Sequence, residues 1–97
     1  MTYLSAIAAE IRDELPADLV PAEDAEELML LYALLATAVG VGVTSQHVHD
    51  AWVAWMTIRG QHHESMVPYD SLSAEVQRED EPFADAIRRV AMRVHSS

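Results

Sequence analysis

The sequence predicts an all-α fold, four to five helices in one compact domain with a structured loop over residues 60–72. Three observations carry that expectation. Apolar residues recur at the i, i+3, i+4, i+7 spacing of a helix face in several separate segments. Prolines and glycines at Pro16, Pro21, Gly40, Gly60 and Pro82 punctuate the chain between them. A length of 97 residues, read as a single domain over 1–97, leaves no room for a second core.

The first helix is expected to begin after Thr2 as N-cap and to run to about Leu15. Leu4, Ile7, Ala8, Ile11 and Leu15 share its inner face, with Glu10, Asp13 and Glu14 outside. Pro16 stops it, and the Ala17–Pro21 linker is a turn between packed helices. A second helix starts near Pro21 or Ala22 and continues to about Val39, with Gly40 closing it. It is apolar nearly all round over 28–39, so it needs cover on several sides. A chain this small supplies little cover, and a homo-oligomer through the 28–39 helix is expected.

Thr44 or Ser45 caps the third helix, which carries Val48, Trp52, Trp55, Met56 and Arg59 on one face and ends before Gly60. The 60–72 loop follows, with room for a very short strand pair. Ser73 then caps a helical turn through Gln77. Pro82 suits the first turn of a last helix that keeps Phe83, Ile87, Val90, Ala91 and Val94 together. Arg88, Arg89 and Arg93 lie toward its C-terminal, dipole-favoured end.

Charge narrows the function classes. Six basic residues, all arginine, stand against 16 acidic ones, for a net charge of −10. Such a surface repels phosphate backbones, so duplex nucleic acid is not an expected partner. The acids cluster over Glu10–Glu27 and Glu64–Asp85, as a solvated face or as a docking surface for a basic partner. The uncharged run Leu28–Val43 would span only about 24 Å as a helix, short of a bilayer core of about 30 Å. No membrane association is expected. The N-terminal residues lack a basic, secretory-type start, so the expected location is cytoplasmic.

Enzyme signatures are missing. None of the glycines opens a helix beside a basic residue to cradle phosphate, there is no cysteine, and Ser65 lacks a nucleophile-elbow context. The chain is therefore read as non-enzymatic, with no cofactor. His47 and His49 invite a metal reading, but residues i and i+2 of a helix lie about 200° apart. His49, His63 and Asp50 or Asp80 could in principle suit zinc. Hydrogen-bonded histidines are the commoner case, and no metal site is assigned.

The segment Val48-His49-Asp50-Ala51-Trp52, followed by His63-Glu64-Ser65-Met66-Val67-Pro68-Tyr69-Asp70-Ser71-Leu72, has a recognisable spacing. Asp80 lies 11 residues beyond Tyr69, and Phe83 and Ile87 continue the pattern. This stretch, residues 48–87, resembles the ryanodine receptor repeat domain. It departs from that pattern at Glu64, where the family has proline, at Glu81, where it has arginine, and in nearly lacking the insertion before the loop. The resemblance implies a repeat-like part over 44–95 preceded by a helical pair over 1–40. The whole chain is also similar to a group of small proteins from actinobacteria and their phages, which would place a phage-encoded member in the host cytoplasm.

The candidate ligand- or partner-binding residues are His49, Trp52, His63, Met66, Pro68, Tyr69 and Asp80. Pro68 fixes its own φ and extends Val67, so Tyr69 and Met66 can fold back on Trp52. His49 and His63 are expected to hydrogen-bond Asp80 or Tyr69. The leading functional expectation is an interaction protein, a phage or actinobacterial accessory factor binding a host or self partner. The alternative is a module for a small, nucleotide-like ligand in the Trp52/His63/Tyr69 corner.

Overall fold

A computed structural model describes residues 2–95. Four long helices and one short one account for the chain: α1 (Tyr3–Glu14), α2 (Ala25–Ala38), α3 (Ser45–Ile58), α4 (Ala74–Arg78) and α5 (Glu81–His95). Short 3-10 turns at Ala17–Leu19, Gly40–Gly42 and Tyr69–Ser71 join them. The fold is all-α as expected. Among the described residues there is no strand, so the strand pair allowed for in the 60–72 loop does not form.

α1 starts where its cap dictates: the Thr2 hydroxyl accepts the Ser5 N–H at 3.2 Å. It buries Ile7, Ala8 and Ile11, with Leu15 just beyond its last turn. α2 begins at Ala25, three residues later than the Ala22 start read from the sequence. Asp24 is the reason, because its backbone is left-handed (φ 55°) and cannot continue a helix. Trp55 of α3 and Arg59, which caps its C-terminal end, hold it there. The Trp55 indole N–H donates to the Asp24 carbonyl at 3.2 Å, and the Arg59 guanidinium pairs with its carboxylate at 3.0 Å. The same guanidinium lies 4.3 Å over the Trp55 ring.

α2 is the central element and touches α1, α3 and α5. Leu28, Met29, Tyr32, Ala33 and Ala36 are buried, while Leu30 (40% exposed) and Leu34 (51%) face outward. It ends at Gly40, whose φ of 77° strains any other residue. A side chain there would also meet the His95 ring at 3.4 Å, where His95 Nε2 bonds the Ala36 carbonyl.

α3 opens on a capping box. Thr44 Oγ1 accepts the His47 N–H, and His47 Nδ1 accepts the Thr44 N–H at 2.9 Å. His47 thus serves the helix start. α5 carries Ala84, Ala86, Ile87, Val90 and Ala91 into one core shared with all three other long helices, and its small residues let the backbones approach closely. The 1–40 and 44–95 portions are not separate cores. Glu14, expected on the outer face of α1, instead clamps α1 to α5: its carboxylate meets Arg89 at 2.8 Å and Arg93 at 3.8 Å. No helix among the described residues is long and apolar enough to cross a membrane.

Candidate functional site

A cleft of about 290 Å³ opens where α2, α3, the 60–72 loop and the start of α5 meet. Its apolar walls come from Leu28, Trp52 and Phe83. Its polar groups are Tyr32, His49, His63, Ser65, Glu79 and Asp80. A groove of similar size between α1 and α2 carries only Ser5, Arg12 and Glu26 as polar side chains, and the latter two are exposed surface groups. Chemistry converges in the first cleft and not in the second.

The loop wall is built on His49. This residue is 3% exposed, and its Nε2 lies 2.7 Å from the Val67 carbonyl. A carbonyl only accepts, so the Nε2 carries the proton and donates, which leaves the Nδ1 as the free atom of the neutral ring. The bond holds Val67 so that Pro68 can turn the chain. Ser71 N–H then closes on the Pro68 carbonyl at 2.8 Å, and the Gln77 amide of α4 donates to the Tyr69 carbonyl at 2.9 Å. A row of rings results: Tyr69 to His49 at 6.1 Å, His49 to Trp52 at 5.9 Å, and Trp52 to His63 edge-on at 5.5 Å.

His63 accepts the Ser65 backbone N–H at its Nδ1, at 3.0 Å. Its neutral form therefore holds the proton on Nε2, and the ring has no free lone pair with which to act as a base toward the Ser65 hydroxyl. The hydrogen bonds expected from His49 and His63 to Asp80 or Tyr69 are replaced by these two, to Val67 and Ser65. The sequence could not show it, because both partners are backbone groups of the loop. Among the described residues no three His, Asp or Glu side chains are grouped to hold a metal ion.

The predicted site residues divide. His49, Trp52, His63 and Asp80 line the cleft, whereas Met66, Pro68 and Tyr69 do not and instead form the turn behind it. The tyrosine of the cleft is Tyr32, from the middle of the apolar α2 run. It is 1% exposed, and its ring packs on Phe83 at 5.8 Å. Its hydroxyl bonds to no described residue, and no fully buried side-chain oxygen lacks a partner there, so what exposure it has is at that oxygen, in the cleft. Burial, with the Asp80 charge adding to it, raises the phenol well above its usual range.

Asp80 sits at the start of α5, where its carbonyl accepts the Ala84 N–H at 3.1 Å. Its half-buried carboxylate has no ion pair and no hydrogen bond with any described residue. Burial lifts its pKa from 3.8 to about 6; His49 opposes the rise and Glu79 adds to it. The sequence marks Asp80 only through its distance from Tyr69, and carries no sign of Tyr32.

The sequence profile of a family described as a domain of unknown function, DUF7701, matches residues 2–92. The chain belongs to the DUF7701 family. That match takes in all of α1 to α4, most of α5 and every residue of the cleft, so the site lies within the DUF7701 domain itself. No curated protein and no solved structure matches the chain.

Proposed function

We propose that this DUF7701 chain is a non-enzymatic binding module that takes a small ligand in the α2–α3–α5 cleft. The observation that supports it most is the pair formed by Tyr32 and Asp80. The hydroxyl of Tyr32, a residue 1% exposed, and the half-buried Asp80 carboxylate both line the cleft without a partner among the described residues. Polar groups taken out of water need compensation, and a ligand held between Trp52 and Phe83 would supply it. The Trp52/His63/Tyr69 corner is thereby redrawn as Trp52, His63, Tyr32 and Asp80. Glu79 and Asp80 in the walls, with no arginine among them, argue against the phosphate of a nucleotide-like ligand. The 48–87 resemblance to ryanodine receptor repeats stays part of the proposal, supported by the way Val67-Pro68-Tyr69 seats on His49.

Thermal shift against a panel of amines, nucleosides and organic acids tests the reading. A ligand bound at 100 times its Kd stabilises by about 2.7 kcal/mol, a readable rise in melting temperature. A rise with at least one class, abolished by Trp52→Ala, supports the cleft. No rise with any class contradicts it.

A second reading, partner or self binding, draws on Leu30 and Leu34 (51% exposed), which lie one turn apart at i and i+4 on α2. A second copy of the chain is the occupant this reading takes. Sedimentation equilibrium giving a dimer that Leu34→Glu dissociates supports it, and a strict monomer contradicts it.

A further inference from the structure

Taking the cleft as a ligand site, as proposed above, we infer that its ligand is a small organic cation: a protonated amine seated on Asp80, with a flat apolar body between Trp52 and Phe83. The charge of the cleft points that way. Asp80 and Glu79 are its carboxylates, and no lysine or arginine lines it. Its other ionisable groups are Tyr32 from α2, His49 from α3 and His63 from the loop. His49, whose field reaches Asp80, makes no ion pair with it and has its Nε2 tied to Val67. The carboxylate is thus a negative charge beside apolar walls that His49 offsets only in part and that no described residue pairs or hydrogen-bonds, which a cation relieves and an anion aggravates.

The walls suit the same class. The rings of Trp52 and Phe83, both only partly buried, are electron-rich, and aromatic faces attract ammonium groups more strongly where water is excluded. Tyr32 O–H and His63 Nε2–H add two donors for an acceptor elsewhere on the ligand. Rising above its ordinary value on burial, the Asp80 carboxyl still ionises at neutral pH, so the charge is present there to meet a cation.

Three matched probes separate the classes: tryptamine (cationic), tryptophol (neutral) and indole-3-acetate (anionic), each titrated by calorimetry and by ¹H–¹⁵N correlation spectra of the full chain. The expected result is tryptamine binding about tenfold or more tighter than tryptophol, the scale of a charge-assisted hydrogen bond, with indole-3-acetate weakest. In Asp80→Asn, which keeps the side-chain shape and a good helix-start residue, tryptamine and tryptophol should bind equally. Equal binding of the two by the wild-type chain, or strongest binding of indole-3-acetate, overturns the cation assignment. If Trp52 and Phe83 resonances still shift, the cleft itself stands as a ligand site. No shift at Trp52, His63 or Phe83 with any probe at millimolar concentration overturns both. The wild-type comparison decides the matter even if the variant folds poorly.

Discussion

Asp80→Asn should stabilise the free protein, and only above a definite pH. In the folded chain the carboxyl ionises near 6 instead of 3.8, chiefly because it is buried. That rise from 3.8 to about 6 corresponds to about 3 kcal/mol at full effect. Asp80 is only half-buried, and solvent screening brings the working value to about 1–2 kcal/mol. The sign follows from which form the fold prefers. A raised acid is better tolerated neutral, so its favourable contribution is complete below 3.8 and is lost as pH rises through about 6. At pH 7.5 the ionised Asp80 therefore costs the fold that full amount. The Asp80→Asn variant escapes it and should melt about 5 °C or more higher at pH 7.5, with the difference shrinking toward zero by pH 4. The ionisable neighbours His49, Glu79, His63 and Tyr32 are present in both chains, and the variant loses the His49 attraction together with the Glu79 and Tyr32 repulsion, both smaller than the burial effect. Urea midpoints at the two pH values are the assay. A variant less stable than the parent at pH 7.5, or a difference independent of pH, would refute the reasoning.

Other substitutions probe the remaining parts of the site and its frame. Tyr32→Phe removes a hydroxyl with no partner among the described residues, so stability should change by less than about 0.5 kcal/mol in urea unfolding, against about 1 kcal/mol for a typical bonded buried hydroxyl. His49→Phe strands the Val67 carbonyl and should cost about 1–3 kcal/mol, with the largest loss of amide-exchange protection in the 66–72 turn. Glu14→Gln breaks the clamp on Arg89 and Arg93. The Arg89 hydrogen bond holds the Glu14 carboxyl below its usual 4.5, so the parent's advantage should be present above that value and vanish as acid protonates it. A pH series of melting curves for the two chains reads that directly, and a variant as stable as the parent at neutral pH would contradict it.

Local signals place most of the helices. Thr2, Ser73 and Pro82 mark helix starts by chemistry confined to one turn, and the structure uses each as such. The start of α2 departs from the sequence reading because it is set from α3, by the Trp55 and Arg59 contacts to a left-handed Asp24. Nothing in residues 21–25 carries that information. The site is half legible. His49, Trp52, His63 and Asp80 belong to a spaced pattern, whereas Tyr32 sits in a run where the surrounding leucines and alanines suggest only burial. An aromatic hydroxyl within that run is the one available signal. Met66, Pro68 and Tyr69 shape the turn that carries His63 and so influence the cleft without lining it.

Intermolecular NOEs between tryptamine and the full chain test the binding cleft most directly. Contacts from the indole ring to Trp52 and Phe83, with the aminoethyl arm near Asp80, are the predicted result. Contacts gathered instead on Leu30 and Leu34, or none at all at saturating probe, would contradict it.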